Sequence, residues 1–174
     1  MTWAGYRSMR SMAQHALALM MQEFLGSDHT SGAHIDSIRG VQCYAQDPIY
    51  TPIDEQVLCE AGFTVVEDPR AFLEVDESSV IISISPDIPV MQIIADIARP
   101  AIMIWNKVSS IDRNVLTDPV SPRVDQMLED YIELPFPAEN ESFGNLAMYI
   151  RKARQTEKDL DTHWPDLEMS NILQ

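Results

Sequence analysis

The sequence lacks several features that would point to a common function. No apolar run approaches the roughly 20 residues that a membrane-spanning helix needs, so we expect a soluble protein. There is neither a Gly-x-Gly-x-x-Gly turn nor a Walker A loop, so binding of NAD or ATP by the usual loop is unsupported. The two cysteines, Cys43 and Cys59, form no Cys-x-x-Cys pair. We interpret them as buried thiols in a reducing compartment, with a disulfide as the alternative, and predict no metal site and no cofactor.

Basic residues are also scarce. The chain has 12 lysines and arginines against 27 acidic residues, which gives a net charge of −15. This charge repels nucleic-acid phosphates and anionic lipids over a Debye length of about 8 Å, so we expect no nucleic-acid and no membrane partner. Arg7 and Arg10 precede the first acid, Glu23, but no secretory cleavage pattern follows them. We therefore expect a cytoplasmic or nuclear protein, with a mitochondrial presequence as the alternative.

The clearest structural signal runs from Val80 to Trp105. Val80–Ile84 and Ala101–Trp105 are almost wholly apolar, as strands buried on both faces of a parallel sheet are. The segment between them has apolar residues at helical spacing, begins near Pro89 and ends before Arg99 and Pro100. This pattern predicts a strand, a crossover helix and a second strand. Open α/β sheets bind ligands at the edge formed by the carboxyl ends of such strands.

The other segments extend this alternation of helices and strands. The further predicted strands are Ile38–Tyr44, Phe63–Val66, Tyr131–Leu134 and Leu146–Ile150. The further predicted helices are Ser8–Leu25, Thr51–Ala61, Arg70–Leu73 and one that begins at Ser121. The alternation predicts a Rossmann-like α/β domain over residues 7–152, with a mostly parallel sheet of about five to six strands and helices on both faces. Residues 153–174 are predicted to form an acidic, poorly ordered tail.

Two helices carry more detailed predictions. In Ser8–Leu25 the apolar residues fall at spacings of three and four, and we expect this helix to bury the face made by Met12, Ala16, Leu17 and Met20. In the helix after the first strand, Thr51 is a good N-cap, Pro52 suits the first turn, and Asp54 completes a capping-box-like arrangement.

Several short motifs carry a resemblance to a known family. They are Tyr44–Thr51 (YAQDPIYT) with Asp54, Leu58–Val66 (LCEAGFTVV), Phe72–Val75, Ser83–Pro86, Ala98–Pro100, Met103–Trp105 and Glu133–Pro137. With them, the chain from about Arg7 to Lys152 resembles the Sensitivity-to-Red-light-Reduced (SRR) family in its fungal form. The resemblance implies a Rossmann-like α/β domain without an established catalytic residue. It also implies relatives in light signalling and the circadian clock, in haem regulation or in the cytoskeleton.

The chain departs from the family pattern at two places. Plant and animal members have Pro-His-Cys after the central strand, where this chain has Pro86, Asp87 and Ile88, so a thiol, metal or haem ligand role there has lost its donors. Family members also begin with an apolar strand before the first helix, and we expect that strand to be missing here. The vacant position would lower stability and leave an open sheet edge through which the protein could self-associate.

Candidate ligand-binding residues lie at the start of the first helix and after the strands. They are Arg7, Ser11, His15, Asp47, Tyr50, Ser85, Asp87 and Asn106. Arg7, Ser11 and His15 belong to the local basic patch at a helix start, where backbone N–H groups favour an anion, although a solvated helix start is the alternative. Asp47 precedes Pro48 and has a structural alternative as an ordinary turn residue. His29 and His34 lie in a polar loop without a scaffold for a metal.

Two functions fit these patterns. The preferred hypothesis is a regulatory or interaction protein of the SRR type, with a cleft for a small ligand or a protein partner at the carboxyl ends of the strands. The alternative is a Rossmann-like enzyme that acts on a small anionic or nucleotide-like substrate, with Arg7 or Arg10 binding the anion and Asp47 or Asp87 as acid or base. Ser85 lacks the Gly-x-Ser-x-Gly elbow of hydrolases, so a hydrolase triad is not predicted.

Overall fold

The structure is a computed structural model that describes residues 3–26, 40–108, 118–136 and 143–153, with side chains from Arg10 onward. In chain order its elements are α1 (Trp3–Gly26), β1 (Tyr44–Ala45), α2 (Pro52–Glu60), β2 (Thr64–Val65), α3 (Arg70–Leu73), β3 (Val80–Ser83), α4 (Val90–Ile97), β4 (Ile102–Asn106), α5 (Pro122–Leu128), β5 (Tyr131–Pro135) and β6 (Leu146–Arg151). Within these ranges no helix is long and apolar enough to cross a membrane. The loop with His29 and His34, the start of the predicted first strand and nearly all of the predicted tail lie outside the described residues.

The position of each element follows from local sequence signals. Each predicted strand overlaps an observed strand, and the helices α2, α3, α4 and α5 lie where they were predicted. At the end of α4 the guanidinium Nη1 of Arg99 donates to the carbonyls of Ala95 and Ala98, at 2.8 and 2.9 Å. This contact caps the carboxyl end of the helix, and Pro100 prevents its continuation. The predicted strand, helix, strand unit is therefore confirmed.

The arrangement of the strands differs from the prediction. Strands β1 and β2 form a parallel sheet of two strands, and the other strands form a sheet of four in the order β3-β4-β6-β5. In the larger sheet β3 and β4 are parallel, whereas β6 is antiparallel to both β4 and β5. The prediction of one Rossmann-like, mostly parallel sheet is therefore wrong.

The cause is the connection between the last two strands. Parallel neighbours need a crossover of a dozen or more residues, usually a helix, whereas consecutive strands without a helix pair as an antiparallel hairpin. No helix is described between β5 and β6, and β6 occupies the edge of β4 that a further parallel strand would need. Strands β1 and β2, joined by α2, are parallel as expected but pair over two residues each. Among the described strands, β1 and β3 each have a hydrogen-bonded neighbour on one side only, so each is an edge strand of its sheet.

Each sheet has its own hydrophobic cluster. The larger cluster joins α4 and α5 to one face of the four-stranded sheet, and its buried residues include Ile94, Trp105 and Met127. The smaller cluster consists of Ala45, Leu58 and Phe63, with partly buried residues of α1 packed against it. Helix α3 follows the small sheet in the chain, and its Phe72 packs against the larger cluster. This helix therefore leads from the small sheet to the large one. The large sheet thus has an extensive hydrophobic core, and the small sheet has a core of few buried residues.

Helix α1 is present, but it uses a different face from the predicted one. Met12 and Met20 are each 68% exposed, and the helix packs on the smaller cluster through Ala18 and Leu19. Most residues of this helix are apolar, so its sequence offers more than one apolar stripe. The stripe that is used is selected by His15, which contacts Tyr50 and Phe63 on the small sheet. A contact between elements so far apart in the chain leaves no periodic signal in the sequence.

Candidate functional site

The most specific polar contact among the predicted site residues joins α1 to the turn after β1. The imidazole Nε2 of His15 lies 2.8 Å from the hydroxyl of Tyr50, and the two ring centroids are 5.8 Å apart. On the other side of the imidazole, the Oγ of Ser11 lies 3.4 Å from Nδ1. The ring of Phe63 contacts His15 edge-on, which completes an apolar wall beside the pair. We call Ser11, His15, Asp47 and Tyr50 the His15 cluster.

The turn that carries Tyr50 is built by Asp47. Its Oδ1 accepts a hydrogen bond from the backbone N–H of Ile49 at 3.0 Å, and its backbone carbonyl accepts one from the N–H of Tyr50 at 3.1 Å. This is an Asx turn followed by a backbone turn, the local chemistry that favours Asp before a tight reversal. Asp47 therefore places Tyr50 at the carboxyl end of β1, directly before α2.

The first turn of α2 is fixed by the predicted capping box. The N–H of Asp54 donates to the Oγ1 of Thr51 at 3.3 Å, and the Oδ2 of Asp54 accepts from the N–H of Thr51 at 2.8 Å and from its hydroxyl at 2.7 Å. These hydrogen bonds lower the pKa of Asp54, and the one from the Thr51 hydroxyl has the largest effect. The capping prediction is confirmed, and Asp54 is an ionised group beside the His15 cluster.

Burial favours the neutral forms of the two central groups of the cluster. Desolvation lowers the pKa of His15, and the carboxylates of Asp47 and Asp54 offset this only in part. Desolvation and the same two carboxylates raise the pKa of Tyr50 to about 12. A neutral imidazole and a protonated phenol share one hydrogen bond, so neither is a charged nucleophile or a strong base.

A second group of predicted residues lies after β3 and β4. The N–H of Ser85 donates to the Oδ1 of Asn106 at 3.3 Å, which ties the turn after β3 to the end of β4. Ser85 has a φ of 52°, a left-handed conformation that is uncommon for residues other than glycine. Asp87 is exposed in the same turn, and Trp105 is buried in the larger cluster. Within the described residues no hydrogen bond or ring contact joins this group to the His15 cluster, and Arg7 lies where only the backbone is described.

Asp118 lies at the same edge of the large sheet, after β3 and β4, and the sequence patterns did not mark it as a site residue. Asp118 is 8% exposed, and its carboxylate accepts from the N–H of Met91, at 3.2 Å through Oδ1 and 3.1 Å through Oδ2. Burial raises its pKa to about 6, although the hydrogen bond from Met91 acts in the opposite direction. It therefore occupies the amino end of α4, where backbone donors would otherwise be available to an anion. The contact spans 27 positions in the chain, so no local spacing could predict it.

Two further features of the described residues concern possible ligand and metal sites. An open cavity of about 520 Å³ lies at the other end of α4, lined by residues 75–77 and 95–99, and it contains none of the predicted site residues. No group of three or more His, Cys, Asp or Glu side chains that could hold a metal ion occurs in the described parts of the chain.

The comparison with protein families assigns the chain. The model of the SRR1 domain matches residues 6–158, which is most of the sequence. The chain belongs to the SRR1 domain family. The resemblance predicted from the motifs between Tyr44 and Pro137 is therefore confirmed. No curated protein and no solved structure matches this SRR1 domain protein.

Proposed function

We propose that this SRR1 domain protein is a regulatory or interaction protein that binds a small ligand or a protein partner around the His15 cluster. The observation that carries the proposal is the 2.8 Å hydrogen bond between His15 and Tyr50. It joins α1 to the carboxyl end of β1 through two half-buried groups whose neutral forms burial favours. Such a pair fixes the orientation of two rings next to the surface.

The surroundings of the cluster support a binding role. Asp47 and Asp54 add carboxylates, and Ile49 and Ile53 add exposed apolar side chains next to them. Exposed apolar groups beside fixed polar groups are the usual composition of a binding surface. We place the protein in the cytoplasm or the nucleus and expect its partners to be neither nucleic acids nor membranes, because its net charge of −15 repels both.

A thermal-shift screen tests this proposal. A ligand at 100 times its Kd should stabilise the protein by about 2.7 kcal/mol. The screen should cover nucleotides, methyl donors and haem, and each hit is repeated with Tyr50→Phe, which removes only the hydroxyl. Tyr44→Phe is the matched control, because Tyr44 lies in β1 outside the cluster. We expect binding that Tyr50→Phe weakens and Tyr44→Phe leaves unchanged, whereas turnover that Asp47→Ala abolishes in a folded protein would contradict a non-enzymatic role.

A second candidate function, an enzyme acting on a small anionic substrate, rests on the conformation of Ser85. Residues other than glycine with a left-handed backbone conformation store strain and are enriched at active sites, and Ser85 is one of them. Its N–H also contacts Asn106, at the edge where a substrate would bind. The capping of α4 by Asp118 weighs against it, because that carboxylate occupies a donor and repels an anion at this position. Ser85→Gly relieves the strain, and an enzyme that uses Ser85 would lose turnover while gaining stability.

A further inference from the structure

Helix α2 presents an apolar stripe to the solvent. Ile49, Ile53 and Val57 are 71%, 73% and 57% exposed. Ile53 and Val57 are four residues apart in α2 and therefore lie on one side of the helix, and Ile49 lies in the turn before it. Leu58, the buried residue of α2, belongs to the smaller cluster. We call Ile49, Ile53 and Val57 the α2 stripe. These three exposed apolar side chains lie on the small half of the molecule.

The fold gains nothing from these side chains. β-Branched residues are weaker helix formers than the straight-chain residues that usually cover exposed helix positions. Exposed apolar groups in water also contribute no burial energy. Beside the stripe, the amide of Gln56 donates to the carboxylate of Glu60 at 2.9 Å, a contact typical of a solvated helix face. The apolar stripe is therefore explained better by binding than by folding.

The chain segment that carries the stripe has charges of one sign. From Gly40 to Pro69 the sequence contains no lysine and no arginine, and its acidic residues are Asp47, Asp54, Glu55, Glu60, Glu67 and Asp68. Acids therefore lie before the stripe, along it and beyond its end. This pattern repels nucleic acid, anionic lipid and a second copy of a chain whose net charge is −15. It attracts a partner that combines basic groups with apolar side chains.

We propose that the α2 stripe is a docking surface for a basic amphipathic helix of a protein partner. This inference rests on the proposed interaction function and names the chemical class of the partner. Apolar side chains of the partner, spaced three and four residues apart, would pack on Ile49, Ile53 and Val57, while its lysines and arginines would face the surrounding carboxylates. The Asx turn from Asp47 holds Ile49 in position, and the capping box holds the start of α2, so the surface exists before the partner binds.

The probe is a fluorescein-labelled peptide of about 18 residues, or roughly 27 Å of helix, with leucines along one face and lysines elsewhere. Its control has the same composition with the leucines dispersed around the helix. Fluorescence anisotropy should show saturable binding of the probe that weakens as salt is added. We expect the dispersed peptide to bind about tenfold more weakly or worse, since it loses the apolar contacts and keeps the charge.

The protein variant is Ile53→Gln with Val57→Gln, which removes two apolar side chains and leaves the net charge unchanged. Glutamine is at least as good a helix former as isoleucine or valine, so α2 should remain folded, and circular dichroism checks this. We expect binding about tenfold weaker or worse. Leu73→Gln is the matched control, because Leu73 is exposed in α3 outside the stripe, and it should bind as wild type does.

Three outcomes would overturn the inference. Equal binding of both peptides would show attraction by charge alone, and equal binding by wild type and the double variant would place the site elsewhere. A wild-type dimer that the double variant dissociates, measured by sedimentation, would show that a second copy covers the stripe. The proposed function fails separately, through the Tyr50→Phe screen, because Tyr50 does not belong to the stripe.

Discussion

The half of the molecule around β4 and the half around β1 differ in how completely they bury their apolar side chains. The larger cluster contains eleven buried residues from two helices and three strands, whereas the smaller one contains three. The small half also has exposed apolar residues on α1 and α2, and it contains the His15 cluster. Regions with few buried contacts have low local stability and often bind ligands. The comparison therefore assigns most of the stability to the large sheet, and our proposed binding surface lies on the small one.

A matched pair of core substitutions tests this comparison with the largest expected effect. Ile94→Ala and Leu58→Ala each delete an aliphatic side chain from a buried helix position, one in each cluster. Such deletions cost about 2–5 kcal/mol, and more where the surroundings cannot collapse into the cavity. We expect Ile94→Ala at the upper end of this range and Leu58→Ala at or below the lower end. Urea denaturation measures both, and equal losses would show that the two halves are equally well packed.

The sequence predicted the large half better than the small one. Val80–Trp105 was predicted correctly because its strands and helix have strong local patterns and pack on one another. The directions of the strands in the whole sheet were predicted wrongly, because the pattern of a strand does not show whether its neighbour is parallel or antiparallel. The sequence pattern predicted no helix between Leu134 and Leu146, and this was the available signal for the antiparallel pairing of β5 and β6.

The site shows the same limit. The capping box of α2 follows from Thr51, Pro52 and Asp54, which are close in sequence, and it was predicted in full. The contact between His15 and Tyr50 spans 35 positions, and that of Asp118 with Met91 spans 27. The sequence marked His15 and Tyr50 as separate candidates but could not show that they meet. Tertiary packing determines such pairs, and a single sequence does not contain it as a local pattern.

Asp118 allows a second test, which concerns pH and the large half. Its pKa rises from 3.8 in the unfolded chain to about 6 in the folded one, so the folded state binds the extra proton between these values. The stability that Asp118 contributes is therefore fully present below about pH 4 and is lost as pH rises through about 6. Asp118→Asn keeps an acceptor for the N–H of Met91 and removes the titration.

The measurement is the difference in unfolding free energy between wild type and Asp118→Asn, at pH 4.5 and at pH 7. We expect the difference to shift in favour of the variant by about 1–3 kcal/mol at the higher pH, since each pKa unit corresponds to about 1.4 kcal/mol. Other carboxylates titrate equally in both proteins and cancel. A difference that does not change with pH would mean that Asp118 is not buried at the amino end of α4.

The smallest expected effect comes from two helix caps, one in each half, that look alike in the sequence. Thr51 and Ser121 are each followed by proline at the first helical position, but only Thr51 makes a side-chain capping hydrogen bond. The Oγ of Ser121 is buried and has no hydrogen-bond partner among the described residues. Thr51→Ala should therefore cost about 1 kcal/mol, as the loss of a cap usually does. Ser121→Ala should be neutral or slightly stabilising, because it removes an unsatisfied polar group.

Hydrogen exchange locates these effects within the molecule. In Thr51→Ala the amide of Asp54 loses its acceptor, so exchange should become faster in the first turn of α2 and stay unchanged in α4. In Ser121→Ala exchange should be unchanged in both helices. If Thr51→Ala instead accelerated exchange throughout α4 and β4, the two halves would unfold as one unit, and the small sheet would share the stability of the large one. Local loss in α2 alone would show that the small half opens while the large sheet remains folded.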